Sequence, residues 1–267
     1  MSTTTSVPAS SEFRIVLESS AWTFEHRSPL SSNGSITSDL LVPGLPTIRL
    51  NGSPTYGGTL DGTGAATPAN ALITLNSGAK LRHVVRRTPP QPLATVVAPP
   101  APTGTRNVTI NNAGQSPGDF ATIRNLTLNS GAGQVTLPAG TYGTITGNSS
   151  TGSFVLGVAG ATEPAVYNLQ GLALNSAARL VIVGPVIINL ASGIGLNGSV
   201  GETGHPEWVE LNIASGNLTL NSNVNFTGFV TAPSGTVTIN GGSTLTGRII
   251  ADRLTINSTG VLVDPAF

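Results

Sequence analysis

The stretch Leu254-Thr255-Ile256-Asn257-Ser258 contains the phrase that decides the fold: two apolar residues on either side of a Thr, then Asn and a small residue. Earlier in the chain the phrase reads Leu218-Thr219-Leu220-Asn221-Ser222 and Val237-Thr238-Ile239-Asn240-Gly241. The alternation is typical of a β-strand with one buried face, because successive side chains of a strand point to opposite sides. The Asn and the small residue favour a bend, since both tolerate left-handed backbone conformations.

Copies of this phrase recur along most of the chain, the weakest being Ile145-Thr146-Gly147-Asn148-Ser149. Their Asn residues are Asn51, Asn76, Asn111, Asn129, Asn148, Asn175, Asn197, Asn221, Asn240 and Asn257. One unit is too short to bury its own apolar face, whereas stacked units share a continuous core. The repeat therefore predicts an all-β fold, a right-handed parallel β-helix (β-solenoid) of about ten coils, with equivalent strands about 4.8 Å apart.

Stacking also predicts a ladder of the repeat Asn side chains. An Asn amide group has two donor hydrogens and an acceptor oxygen, so each side chain can bond the Asn above it and the Asn below it. We expect these Asn residues to have a structural role.

The chain divides by composition into four parts. Residues 1–35 form an N-terminal segment or cap, residues 36–88 the first solenoid coils, residues 89–104 a Pro-rich loop or linker, and residues 105–267 the main β-solenoid. Within the first part, residues 12–27 fit either a capping helix or an edge strand. We expect the coils on both sides of the Pro-rich segment to belong to one rod. The chain ends within three residues of an apolar strand pattern, which predicts an open last coil.

Composition excludes several classes of protein. Only 9% of residues are charged, Lys+Arg and Asp+Glu are equal at 12 each, and Cys is absent. The lack of Cys excludes a disulfide scaffold and a thiolate zinc site, and the zero net charge argues against a nucleic-acid partner. No apolar run approaches the roughly 18 residues that suggest a transmembrane segment. No motif indicates a cofactor, a metal or catalytic residues.

Three further phrases carry a family resemblance. They are Leu137-Pro138-Ala139-Gly140-Thr141-Tyr142-Gly143, the run from Phe226 to Gly241 with Phe226-Thr227-Gly228-Phe229 and Ala232-Pro233, and Leu245-Thr246-Gly247-Arg248-Ile249-Ile250-Ala251. They resemble the right-handed β-helix domains of bacterial surface and pilin-associated proteins. The pattern is similar, more distantly, to bactofilin filaments and to β-solenoid ice-binding proteins. The resemblance implies the fold and a place at the cell surface.

Two polar clusters are candidate contact sites. The first holds Glu202, His205, Glu207, Trp208 and Glu210, which combine paired carboxylates with an aromatic ring that could stack on a sugar. An exposed loop between coils is the simpler interpretation.

The second cluster is basic, with Lys80, Arg82, His83, Arg86 and Arg87. It could bind an acidic polymer or a carboxylate of a neighbouring subunit. A solvated face beside the Pro-rich segment is the simpler interpretation.

A rank of Thr residues keeps ice binding open. Six repeats carry Thr two residues before the Asn, at positions 74, 109, 127, 219, 238 and 255. The simpler explanation is the high strand propensity of Thr on an exposed face.

These observations predict a structural protein rather than an enzyme. We expect an extracellular or cell-surface solenoid that self-assembles end to end into fibres, with itself as partner. Met1 to Ser11 contains no readable secretion signal, so a cytoplasmic filament remains open. The alternatives are a monomeric adhesin or glycan-binding module, with a cell-surface glycan as partner, and an ice-binding protein.

Overall fold

The computed structural model describes residues 15–17, 26–37, 39–43, 46–62, 71–87 and 95–263, and nearly all of its regular structure is β-strand. The N-terminal strands are β1 (Ile15–Leu17), β2 (His26–Leu30), β3 (Ser35–Ile36), β4 (Leu40–Pro43), β5 (Thr47–Leu50), β6 (Thr55–Tyr56), β7 (Thr59–Leu60), β8 (Ala71–Leu75), β9 (Lys80–Leu81) and β10 (Val84–Arg87). The later strands are β11 (Arg106–Ile110), β12 (Ile123–Leu128), β13 (Gln134–Thr136), β14 (Gly140–Gly147), β15 (Ser153–Leu156), β16 (Ala165–Leu174), β17 (Arg179–Ile182), β18 (Val186–Leu190), β19 (Ile194–Leu196), β20 (Val209–Ile213), β21 (Leu218–Leu220), β22 (Asn225–Ile239), β23 (Thr244–Ile256) and β24 (Val261–Val263). Two short 3₁₀ turns occur at Phe120–Thr122 and Pro206–Trp208.

Each coil has three faces, which strand β23 shows in one piece. Residues 244–246 lie on the first face, residues 248–251 on the second and residues 253–256 on the third, after which Asn257 turns the chain back to the first. Strand β22 pairs with β23 in parallel register on all three faces. The predicted parallel β-solenoid of about 10 turns is thus confirmed.

The core is built from the inward positions of the repeat. Burial alternates along β23, and the residue before the ladder Asn is fully buried in coil after coil, as at Leu220, Ile239 and Ile256. Full burial of such a side chain stabilises the fold by about 1.5–3 kcal/mol. Stacking supplies this burial because each column continues through the neighbouring coils.

Glycine is required at the corner between the first and second faces. Gly247 lies over Gly228 with a φ of 147°, and a Cβ atom on Gly247 would lie 1.8 Å from the carbonyl oxygen of Gly228. No side chain fits at that distance. The contact explains why Gly stands at the same place in the phrases Phe226-Thr227-Gly228 and Leu245-Thr246-Gly247.

The coils do not stack in the order of the chain. The last strand, β24, pairs with β3, which pairs with β9, and β9 pairs with β6. The coil of residues 71–87 therefore lies between the coil of residues 26–43 and the coil of residues 47–60. Backbone hydrogen bonds along the third face give the axial order of the turn positions as 111, 129, 148, 175, 197, 221, 240, 257, 31, 76 and 51.

The expectation of an open last coil is wrong for this reason. Ser35 N donates to the Gly260 carbonyl oxygen at 3.0 Å, and Thr37 N donates to that of Leu262 at 3.2 Å. The N-terminal coils thus cover the coil that ends the sequence. Of the segment 12–27, the described parts are strand β1 and the start of β2, so they are strands rather than a helix; the rest lies outside the described residues.

The reversal of order explains the Pro-rich segment. The chain leaves β10 near one end of the rod and begins β11 at the other, nine coil spacings or about 43 Å away. The 17 residues from 88 to 104 can span about 53 Å in an extended polyproline conformation. Residues 95–100 lie along the second face, beside residues of four successive coils from Asn168 to Thr231, so we name residues 88–104 the strap.

Candidate functional site

The predicted Asn ladder is present on the third face. Side-chain amides bond neighbouring coils from Asn129 to Asn111 (2.8 Å), from Asn148 to Asn129 (2.9 Å) and from Asn175 to Asn148 (3.0 Å). Three further bonds of the same kind join Asn221 to Asn197, Asn257 to Asn240 and Asn51 to Asn76. These bonds satisfy the amides at the turns, which agrees with a structural role.

Ser31 occupies the ladder position between Asn257 and Asn76. Its backbone nitrogen donates to Ile256 O at 2.8 Å, and Asn76 N donates to Leu30 O at 2.9 Å. The backbone ladder therefore continues through Ser31, although the residue belongs to no copy of the repeat phrase. Sequence reasoning missed this coil because its turn lacks the Asn.

The Thr rank is present but interrupted. In parallel register, Thr109 pairs with Thr127 and Thr127 with Thr146, and a second run joins Thr219, Thr238 and Thr255. Between the runs the equivalent positions are Ala173 and Gly195. The rank is therefore two short patches and an isolated Thr74, which Pro29 separates from Thr255, rather than one continuous surface.

The acidic segment is divided among different faces. Glu202 lines a polar depression of about 350 Å³ together with Arg179 and Asn225 on the first face. Glu210 lies on the second face and accepts a hydrogen bond from Asn212 Nδ2 at 2.9 Å. The two carboxylates therefore do not form a shared site.

The middle of this segment forms a small cluster of its own. The His205 ring stacks on Trp208 with 4.0 Å between ring centroids, and His205 Nδ1 lies 2.9 Å from Glu207 Oε1. Trp208 is half-buried and packs against the core. One face of the indole is thus covered by His205, which leaves less of the ring for stacking on a sugar.

The basic cluster is paired with carboxylates from the adjacent coils. Asp39 of the coil below lies 3.5 Å from Arg82 Nε and 3.0 Å from His83 Nδ1, and Asp61 of the coil above forms an ion pair with Arg86. Lys80 is exposed on the first face, and the Arg87 side chain lies outside the described residues. The sequence did not reveal the pairs of Asp39, because Asp39 becomes a neighbour of residues 80–87 only through the changed order of the coils.

A second Asn ladder, which sequence reasoning missed, lies beneath the strap. Asn189 Nδ2 donates to Asn168 Oδ1 at 3.0 Å, and Asn212 Nδ2 donates to Asn189 Oδ1 at 3.2 Å. The signal was available, because Tyr167-Asn168-Leu169, Ile188-Asn189-Leu190 and Leu211-Asn212-Ile213 repeat one pattern of Asn between buried residues.

The strap and this second ladder enclose a cleft of about 510 Å³. Residues 95–100 form one wall, and Asn168, Asn189, Glu210, Asn212 and Thr231 form the floor. Gln170 holds the strap, since its Nε2 donates to the carbonyl oxygens of Pro99 (3.2 Å) and Pro100 (2.8 Å). The floor is a row of three amide groups with one carboxylate and one hydroxyl.

The two ends of the rod differ. At the end formed by β5, β6 and β7, Leu50 is 52% exposed, whereas Leu75, which occupies the same core column one coil inward, is 0% exposed. Within the described residues each of these three strands pairs on one side only. We name this surface, formed by residues 47–60, the open end.

The opposite end is closed by a side chain. Gln115 Oε1 accepts a hydrogen bond from Asn111 N at 2.9 Å, and Gln115 Nε2 donates to Thr109 O at 3.0 Å. The amide thereby satisfies the edge groups of β11 that a further strand would use. Phe120 packs against the core beside it.

Two buried tyrosines fix the corner that contains the Pro-Ala-Gly phrase. The Tyr142 hydroxyl donates to the Pro138 carbonyl oxygen at 2.9 Å, and that of Tyr167 donates to the Leu137 carbonyl oxygen at 3.0 Å. Burial raises the pKa of Tyr142 to about 12, with a further contribution from Tyr167. Burial also raises the pKa of Tyr167, opposed by the hydrogen bond from Gly157 N.

No family model, curated protein or solved structure matches this chain. Among the described residues, none of the helical segments is long and apolar enough to cross a membrane.

Proposed function

We propose that this protein is a structural β-solenoid that assembles end to end with further copies of itself, outside the cell or at its surface. The observation that carries the proposal is the open end, where a core column stops without a cap among the residues that the structure describes. The resemblance of the sequences at 137–143, 226–241 and 245–251 to bacterial surface β-helix domains supports a location outside the cell or at its surface. We assign it no catalytic role.

The open end has the two features of an association surface. It exposes Leu50 and Leu60, which are 52% and 46% exposed, next to partly buried Ile48 and Tyr56. It also has strand edges without a partner in the described part of the chain, and such edges pair readily with another chain. A second copy offers an apolar surface and strand edges of the same kind.

The other end supports direct strand addition much less, because Gln115 already bonds the edge of β11. Association through the open end alone is symmetric, so it gives dimers that cannot add further molecules. A fibre therefore needs a different kind of joint, one that is head-to-tail.

The test compares two charge substitutions in the full chain. Leu50→Lys places a charge on the open end, where Leu50 is 52% exposed. Val158→Lys is the matched control, because Val158 is an apolar residue of similar exposure, 61%, in a loop away from the ends. Sedimentation and negative-stain microscopy should show assemblies that Leu50→Lys disperses and Val158→Lys leaves intact. Strictly monomeric wild-type particles at every salt and protein concentration would contradict the proposal.

A monomeric glycan-binding adhesin is the second candidate, favoured by the cleft beneath the strap, whose amide floor suits sugar hydroxyls. Asn189→Ala removes a floor amide, and Asn129→Ala removes the same chemistry from the other ladder. Glycan-array binding that is lost in the first variant and kept in the second would support the adhesin.

Ice binding has less support, because Ala173 and Gly195 interrupt the Thr rank. Thermal hysteresis of the wild-type protein that Thr238→Tyr abolishes would favour it.

A further inference from the structure

We propose that the joint that extends the fibre is an exchange of the N-terminal coils, which dock on the last coil of a second copy in the way they dock on their own. We name residues 15–17, 26–62 and 71–87 together the cassette. The proposal deepens the end-to-end assembly proposed above and rests on it.

The cassette is held together as one unit. The coil of residues 71–87 is inserted between the other two, so it cannot leave without separating them. Asp39 reaches Arg82 and His83 from one side, and Asp61 reaches Arg86 from the other. The Asn51 amide bonds Asn76 at 3.0 Å across the outer boundary.

The boundary between the cassette and the main solenoid is parallel strand pairing on all three faces. On the second face β1 of the cassette pairs with β23, where Val16 is opposite Ile250. Strand β3 pairs with β24, where Ser35 is opposite Val261 and Ile36 opposite Leu262, and Leu30 stacks on Ile256. Every copy of the chain has this last coil. A cassette from another molecule can therefore make the same parallel pairing and bury the same apolar residues.

The strap determines which of the two arrangements forms. The extended length of the strap, about 53 Å, is only slightly greater than the axial distance of about 43 Å between β10 and β11. Docking within one chain therefore needs a strap that runs nearly straight along the rod. Within residues 95–102, the strap makes two hydrogen bonds to the solenoid. The carbonyl oxygens of Pro99 and Pro100 accept both from Gln170 Nε2. When the strap is released, the cassette is free to reach the last coil of another molecule.

Exchange of the cassette between molecules creates a contact that can extend into a fibre. Each molecule donates one cassette and accepts one, which is a head-to-tail arrangement that extends without closing. The donated cassette would lie beyond the β11 end of its own rod, in the order of the sequence, and the strap would have to span only about 10 Å, or two coil spacings. The open end of the cassette would then face the Gln115 end of the same molecule, so exchange and open-end pairing are alternative joints for any one cassette.

The experiment uses the absence of native Cys. Ser35→Cys and Val261→Cys together place two thiols on neighbouring parallel strands, at a spacing of about 4.8 Å that a disulfide can bridge. In the protein with the full-length strap, we expect intramolecular disulfides at low protein concentration. We expect disulfide-linked multimers whose fraction increases with protein concentration. Deletion of residues 91–99 leaves eight strap residues, which reach at most about 29 Å. We expect this variant to form almost only intermolecular crosslinks, in elongated particles.

A second measurement avoids dependence on the folding of the shortened chain. Single variants Ser35→Cys and Val261→Cys, unfolded together, refolded as a mixture and then oxidised, should give a disulfide between residues 35 and 261 of different molecules, identified by mass spectrometry. Its absence, or intramolecular crosslinks alone in the shortened variant, would overturn the exchange. Addition of Leu50→Lys separates the two proposals: it should disperse open-end assemblies and leave the intermolecular disulfide unchanged.

Discussion

Ser35 pairs with Val261 in parallel register, so a residue near the start of the chain lies one coil away from a residue near its end. The pairing closes the coil that ends the sequence and leaves the coil of residues 47–60 at the outside. The strap, the paired basic cluster and the open end all follow from this arrangement.

The cost of removing a core side chain should depend on its place along the rod. Leu220→Ala in the middle of the column should lower the free energy of unfolding by about 2–5 kcal/mol, because it leaves a cavity. Leu50→Ala in the outermost coil should cost only about 1 kcal/mol, because that side chain is already half exposed. Urea denaturation of the two variants checks the difference. Equal losses would mean that the coil of residues 47–60 is not terminal.

Ser31→Asn should stabilise the protein. The substitution completes the ladder between Asn257 and Asn76, and an added hydrogen bond contributes about 1 kcal/mol. Ser31→Ala is the control, since it offers no amide. The denaturation midpoints should rank the Asn variant above wild type and the Ala variant at or below it; an Asn variant less stable than Ser31→Ala would argue against this place for residue 31.

Gly247→Ala should be strongly destabilising, since the new methyl group would meet the carbonyl oxygen of Gly228. Gly241→Ala is the matched control, because the nearest atom to a Cβ there is the Ser258 Cβ at 3.5 Å, an ordinary contact. Thermal unfolding should show a large fall in Tm for the first and a small change for the second. Similar Tm values would exclude the tight corner.

The fold should lose stability in alkali through its buried tyrosines. The pKa of Tyr142 is raised from 10.0 to about 12, so above pH 10 the unfolded chain releases a proton that the folded chain retains. The stability contributed by the neutral hydroxyl is complete below pH 10 and is lost as the pH rises towards 12. Denaturation midpoints measured across this interval should fall less steeply for Tyr142→Phe. A parallel fall in both proteins would contradict the assignment.

The sequence predicts the coil but not the order of the coils, for a physical reason. The phrase around Asn221 and the phrase around Asn257 bury similar side chains, so any copy can stack on any other with similar energy. Order is instead encoded in connection length, and the strap is long enough to return across the rod. Asp39 could not be matched to the basic cluster without that order. The coil around residue 31 could not be recognised from the repeat, because its turn carries Ser31 in place of Asn.

The most direct test of the coil order is a comparison of two disulfides in dilute, monomeric protein. The pair Ser35→Cys and Val261→Cys lies on adjacent strands, whereas Arg49→Cys and Thr109→Cys would be close only if the first coils preceded Asn111 in the stack. In the order described above, residues 49 and 109 are ten spacings apart, or about 48 Å. We predict rapid intramolecular crosslinking of the first pair and none of the second. Crosslinking of the second pair within a monomer, with the first pair remaining reduced, would contradict the account.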